Sequence, residues 1–160
     1  MAILTTSGRT ALAIAVAAQP LHLAWGTGAS AWDDTPVPEP ASAIALVSEI
    51  GRRALSQWKF CIPDAAGEIV VPSGRYRESV EPSNNIYIRF SFDYDDAPTA
   101  SIREIGIFLG TQIRTSVPGG QMYFLPADIL APGTLLALQR VPKITRSAAT
   151  RQSFEFVLTL

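Results

Sequence analysis

Alternation of apolar and polar residues dominates the chain beyond residue 51 and is clearest over Ile86–Tyr94. In this stretch, IYIRFSFDY, the even positions are apolar and the odd positions are mostly polar, a period of two that predicts a β-strand with one buried face. Similar short runs recur as far as residue 160 without strand–helix alternation. The pattern excludes a doubly wound α/β fold and predicts an antiparallel β-sandwich or a strongly bent sheet.

The predicted strands are separated by turns rich in Gly, Pro, Asp and Ser. They cover residues 21–25, 54–61, 68–71, 75–80, 86–94, 100–109, 121–124, 135–141 and 154–160. A change of parity in the 100–109 run predicts a β-bulge near Gly106. Trp25 and Trp58 fit core positions on their strands.

Two helices are predicted before these strands, so the expected fold class is α+β. Residues 5–18 are rich in Ala and Leu, with a capping residue at the start and Pro20 at the end. Residues 41–50 (ASAIALVSEI) place Ile44, Val47 and Ile50 on one face, and Gly51 stops the helix. We expect a single domain over 1–160, with a helical part over 1–50 that includes an extended loop at 26–40, and a β-rich part over 51–160.

Composition argues against most enzymes and against nucleic-acid binding. The 13 Lys and Arg residues nearly balance the 14 Asp and Glu residues, so the chain has no basic field for nucleic acid. A single Cys, Cys61, excludes internal disulfides and multi-Cys zinc sites, and it fits a buried, unreactive thiol. The lone His22 excludes an HExxH site and is interpreted as a surface or interface residue. We therefore expect no catalytic set, no cofactor and no metal.

The apolar run Ala11–Ala18 is too short to cross a bilayer, so no direct membrane insertion is expected. With Arg9 before it, the run resembles the apolar part of a signal peptide. The polar residues at 5–8, where a charged region should stand, argue against that interpretation.

Several features predict permanent contacts with other subunits. The first helix is apolar on every side, which fits either a central core helix or a helix packed against another subunit. Trp32 lies in the loop at 26–40, away from any local core, and needs a pocket on this chain or on a neighbour; we favour a neighbour. The interface candidates are Leu12, Ile14, Val16, Trp25, Trp32 and Val37.

Other candidate sites have ordinary explanations. Asp93, Asp95 and Asp96 could bind Ca²⁺, but they lack the glycine and distal glutamate of an EF-hand and fit a turn. A glycosidase would need paired carboxylates, and the spacing of the candidates selects no pair; these candidates are Glu68, Glu78, Asp93 and Glu104. A carbohydrate-binding surface would need exposed coplanar aromatic rings, drawn from Trp32, Tyr76, Tyr87, Tyr94 and Tyr123.

The order of several motifs resembles tail and baseplate proteins of Mu-like and related bacteriophages. The motifs are LTTSGR at 4–9, QPL at 19–21, WGTG at 25–28, DDTP at 33–36, ALVSEIGR at 45–52, SIREIGIF at 101–108 and PKIT at 142–145. The first resembles the opening of tail-collar and fibre-attachment domains, and the last two resemble an Ile-Gly-aliphatic strand and a closing hairpin.

This resemblance implies a structural role in the tail of a virion that is assembled in the host cytoplasm. It implies a homo-oligomer of roughly three or six copies around the tail axis. The implied partners are other tail or baseplate proteins and a tail fibre or receptor-binding protein. A carbohydrate-binding module that recognises the receptor is the alternative.

Overall fold

The computed structural model describes residues 1–160 and is mostly β, with 44% of the residues in strands and one α-helix. The α+β prediction is therefore right about the antiparallel strands and wrong about the second helix. The helix is α1 (Thr6–Ala17). Short 3₁₀ turns cover Ser30–Asp33 and Pro126–Asp128.

Twelve strands form three sheets. They are β1 (Leu21–Gly26), β2 (Glu49–Ala54), β3 (Gln57–Pro63), β4 (Ile69–Val71), β5 (Gly74–Glu78), β6 (Asn85–Phe92), β7 (Ser101–Leu109), β8 (Gln112–Ile113), β9 (Tyr123–Phe124), β10 (Ile129–Ala131), β11 (Thr134–Thr145) and β12 (Gln152–Thr159). The sheet orders are β11-β7-β1-β2-β9, β10-β8 and β12-β6-β3-β5-β4. The strong alternation over 86–94 corresponds to β6, which confirms that prediction.

The chain forms two compact units that interleave along the sequence. One contains residues 1–19, 55–90 and 153–160, and the other contains residues 20–54 and 91–152. A single domain over 1–160 stays a prediction.

In the first unit, α1 forms where the sequence predicts it. Thr5 caps the helix, because its side-chain oxygen accepts the Gly8 N–H at 3.1 Å. At 12 residues, α1 is too short to span a membrane, and the structure has no other α-helix. A small apolar cluster on the sheet of this unit includes Cys61, which is fully buried as expected. Burial raises the pKa of its thiol to about 11.

In the second unit, β7 lies inside the sheet and is buried on both faces from Glu104 to Phe108. This double burial explains the change of parity, and the predicted bulge near Gly106 is wrong because the register with β1 is continuous. The irregularities lie on β11 instead, between Leu135 and Ala137 and between Arg140 and Ile144. Gly106 leaves room for Leu46, since a Cβ there would lie 2.8 Å from the end of the Leu46 side chain, which would have to shift.

The predicted helix over residues 41–50 is wrong. The segment consists of turns and bends and then enters β2 at Glu49. The expected apolar face is not buried: Ile44 is 85% exposed and Val47 is 46% exposed. Leu46 is the buried residue, and it packs on Ala24 and Phe108. A tertiary contact on the sheet therefore overrides the helical spacing.

Trp25 anchors the core of the second unit, as predicted. It is fully buried and stacks on Phe92 with ring centroids 3.5 Å apart. The guanidinium of the buried Arg146 lies 5.1 Å from the Trp25 ring. Trp58, in the other unit, is 41% exposed, so its predicted core position is wrong.

His22 is buried rather than on the surface, since only 5% of the residue is exposed. Burial, together with the charge of Arg52, lowers the pKa of the imidazole from 6.5 to about 4. The unfolded chain therefore binds a proton more tightly than the folded protein between these pH values. The free energy of unfolding must fall as the pH falls through this interval.

We predict that His22 alone lowers the free energy of unfolding by about 3 kcal/mol between pH 7 and pH 4. The measurement is urea unfolding of the wild type and of His22→Gln, which cannot titrate, over that range. The stability of the wild type should decline relative to that of the variant as the solution is acidified. Parallel pH profiles would show that His22 is not held neutral by the fold.

Candidate assembly surfaces

The structure separates the six predicted interface residues into different environments. Val16 and Trp25 are buried within this chain, so we do not retain them as surface candidates. Leu12, Ile14 and Val37 are each 44–46% exposed.

One face of α1 is apolar and exposed to solvent. The helix buries Ala13 and Val16, which are one turn apart, and leaves Leu12 and Ile14 46% exposed. Ala11 and Ala15 are exposed between them. The sequence predicted a helix that is covered on every side, and the single chain covers one side only. The uncovered side is an apolar surface of the kind that marks protein interfaces.

The second exposed feature is the Trp32 loop, which we define as residues 27–47. Two backbone hydrogen bonds close its base: Thr27 N donates to Ser48 O at 3.1 Å, and Gly28 N donates to Val47 O at 3.2 Å. Long loops whose ends meet in this way are often functional.

Glu104, which lies on β7, holds the base of the Trp32 loop. Its side chain is almost fully buried on β7, and its carboxylate accepts the Val47 N–H. Burial raises the pKa of this carboxyl, while the bond from Val47 and the charge of Arg140 act in the opposite direction. A Cβ at Gly26 would lie 2.8 Å from the Glu104 carboxylate, so the position needs glycine. The sequence analysis named Glu104 only as one of four candidate carboxylates for a glycosidase.

Arg103, also on β7, holds the first half of the loop. Its guanidinium donates to both carboxylate oxygens of Asp33, at 2.7 and 2.8 Å, and to Thr27 O at 3.1 Å. Lys143 lies 3.6 Å from the same carboxylate. The hydrogen bond from Arg103 lowers the pKa of Asp33. A two-bond pair of this kind fixes orientation as well as distance.

Arg140, on β11, holds the second half of the loop. Its guanidinium donates to Val37 O at 2.8 Å and to Pro38 O at 2.7 Å. Its backbone N–H donates to the Glu39 carboxylate at 2.7 Å.

Trp32 has its pocket on this chain. The Arg140 guanidinium lies 4.1 Å from the Trp32 ring, a cation–π distance. The ring also packs on Gly28, where a Cβ would lie 2.3 Å from the indole. The interpretation that Trp32 needs a neighbouring subunit is therefore not supported.

The aspartates at 93–96 form a turn that arginines stabilise. Asp96 N donates to Asp93 O at 3.2 Å, and the Asp96 carboxylate pairs with Arg53 at 2.7 Å. Arg151 lies 3.0 Å from the Asp93 carboxylate. These pairs favour the turn interpretation over Ca²⁺ binding.

The other carboxylates proposed for a glycosidase also have structural partners. Glu68 accepts the backbone N–H of Glu78 at 3.2 Å, and Glu78 pairs with Lys59. Glu104 accepts the Val47 N–H, and Asp93 pairs with Arg151. Each of the four candidate carboxylates therefore binds either a backbone N–H or a cationic side chain.

The five aromatic residues named as candidates do not form a carbohydrate platform. Tyr76 and Tyr87 are buried, Tyr123 and Trp32 are partly buried, and Tyr94 alone among the five candidates is exposed. A stacking surface needs two or more exposed rings side by side, and the five candidates supply only one, so they give the carbohydrate-binding alternative no support.

Comparison with known protein families bears on the choice between a structural, a carbohydrate-binding and an enzymatic role. A model of the family described as baseplate wedge 3 tail fiber network component matches residues 1–160. The chain belongs to this family. No curated protein matches the chain at a significant level.

Family membership confirms the predicted role as a structural protein of a phage tail baseplate and places this baseplate protein in the virion tail. It fits the expectation that the protein is not an enzyme. For such a protein the functional sites are contact surfaces, and the candidates on this chain are the exposed face of α1 and the Trp32 loop.

We predict that Arg103→Met loosens the Trp32 loop. Loss of the two-bond pair with Asp33 should speed amide hydrogen exchange over residues 29–40 by about tenfold or more. Mass-spectrometric exchange on the intact protein checks this, and Lys143→Met, which removes a more exposed and distant cation, is the matched control. Equal exchange in Arg103→Met and wild type would show that the other contacts suffice to hold the loop.

Proposed function

We propose that this baseplate protein anchors tail fibres or receptor-binding proteins and assembles as a homo-oligomer of several copies around the tail axis. Family membership supports the baseplate role, and the exposed apolar face of α1 supports the permanent contacts. A relationship to Mu-like phages and assembly in the host cytoplasm belong to the same proposal.

The exposed face of α1 carries this proposal because it is costly to leave in water. Burying the side chain of a Leu or Ile yields about 1.5–3 kcal/mol relative to full exposure. Leu12 and Ile14 keep nearly half of their surface exposed, and the alanines between them let a second surface approach closely. A subunit that acts only within an assembly can gain that stabilisation from its neighbours.

The Trp32 loop supports the proposal in a second way. Its contacts with Glu104, Arg103 and Arg140 hold it in one conformation before any partner binds. Val37 remains 44% exposed on this fixed loop. Binding through an ordered loop loses less conformational entropy than binding through a mobile one.

We predict that Leu12→Glu/Ile14→Glu reduces incorporation into baseplates by about tenfold or more, because it places two charges in a contact that excludes water. Both positions are exposed and glutamate is a good helix former, so the free energy of unfolding should change by less than about 1 kcal/mol. The measurement is the protein's stoichiometry in purified phage particles by quantitative mass spectrometry.

Val80→Glu is the matched control, since Val80 is 95% exposed outside α1. It should leave incorporation unchanged. Normal incorporation of the folded double variant would contradict the assignment of α1 as a contact surface.

A further inference from the structure

A pocket in the second unit lies between the Trp32 loop and the strands that support it. It has a volume of about 350 Å³, within the range of about 300–1,000 Å³ that is typical of ligand sites. Most of its exposed lining is apolar. The lining residues are Trp32, Asp33, Pro36, Val37, Arg103, Arg140, Val141 and Pro142.

An irregularity in β11 forms one wall of this pocket. The register with β7 shifts between Arg140 and Ile144, so that residues 141–143 lie opposite Arg103 alone. A strand that carries extra residues bends, and such bends are common beside functional sites. The space at the bend is enclosed on its other side by the Trp32 loop.

The pocket has hydrogen-bond donors without an acceptor in the chain. Nη1 of Arg140 makes both bonds to the loop carbonyls and Nε is buried, which leaves Nη2 with no acceptor. The indole N–H of Trp32 also has no acceptor and is accessible to water. Both groups can therefore donate to oxygen atoms that a ligand brings.

The side-chain acceptor and the loop carbonyls at the pocket are already used. Asp33, the only acidic residue in the lining, accepts from Arg103 with both carboxylate oxygens. The carbonyls of Thr27, Val37 and Pro38 accept from arginine side chains. A fitting ligand therefore supplies acceptors and carries few N–H groups, since an N–H buried here would lack a partner.

Charge favours neither an acidic nor a basic ligand. The cationic side chains at the pocket are balanced by an equal number of carboxylates on the loop. These residues are Arg103, Arg140 and Lys143 on the strands and Asp33, Asp34 and Glu39 on the loop. Together with the apolar lining, this balance suits an uncharged segment.

We infer that this pocket binds an uncharged, extended, proline-containing segment of another baseplate protein. Proline has no N–H, its carbonyl is an acceptor, and proline-rich segments dock in aromatic-lined grooves. They are extended before they bind, which lowers the entropy cost.

A second copy of this chain does not supply the segment. The proline-rich stretch of the chain, residues 35–40, is itself part of the pocket wall, and Arg140 holds the Val37 and Pro38 carbonyls. The inference rests on the proposed assembly role and specifies the chemistry of one contact.

Titration of the full-length protein with a blocked hexaproline peptide tests the chemistry of the pocket. The readout is the indole N–H resonance of Trp32 in proton–nitrogen correlation spectra, assigned with Trp32→Phe. We expect a saturable shift, and binding about tenfold or more tighter than that of a blocked alanine–serine hexapeptide, which keeps its N–H groups. No shift at millimolar hexaproline, or equal binding of the two peptides, would overturn the inference.

Val37→Glu tests whether the shift arises at this pocket. The variant places a charge at the apolar wall but keeps the Val37 carbonyl that Arg140 holds, so the loop should stay in place. The affinity for hexaproline should fall about tenfold or more, while the control Val80→Glu keeps it. Unchanged affinity in Val37→Glu would contradict the assignment of the pocket.

A photo-crosslinking amino acid in place of Val37, activated in intact baseplates, separates the inference from the proposed function. A cross-linked peptide that contains proline and comes from another baseplate protein supports the inference. A cross-link to a second copy or to a peptide without proline, or no cross-link in baseplates that contain the protein, would overturn it. The proposed assembly role would stand in each of these cases.

Discussion

The burial of one carboxylate in a central strand is the constraint on which the Trp32 loop depends. Glu104 lies on β7, where both faces of the sheet are covered, and a buried carboxyl must find a hydrogen-bond donor. The Val47 N–H is that donor, which brings the end of the loop back to Gly26, the residue immediately before the loop begins. Arg103 and Arg140 then hold the rest of the loop against the same strands.

Two features of the chain, one in each unit, bear on its role in the baseplate. In the second unit, Arg103 and Arg140 hold a long loop against its own strands. In the first unit, the chain covers only one side of α1, and the other apolar side is exposed. Both features fit a baseplate protein, because such a protein works in permanent contact with others.

The sequence predicts the elements whose pattern lies within a few neighbouring residues. It misses those whose conformation is set by contacts with residues far away in the chain. α1 and β6 follow from capping and alternation within a few residues. The segment 41–50 has helical spacing, but its conformation is set by Leu46 on Phe108 and by Val47 on Glu104, contacts that no local pattern shows. The pocket of Trp32 likewise depends on Arg140, more than a hundred residues away, so its location on this chain could not be predicted from the loop.

Hydroxyl-radical footprinting of the protein, free and within intact baseplates, tests most directly whether the apolar surface of the isolated chain is covered in the assembly. Oxidation of Leu12 and Ile14 in the free protein should fall several-fold in the baseplate, while that of Val80, exposed elsewhere, changes little. Equal oxidation of Leu12 and Ile14 in both states would show that α1 remains in water, and the account would be wrong.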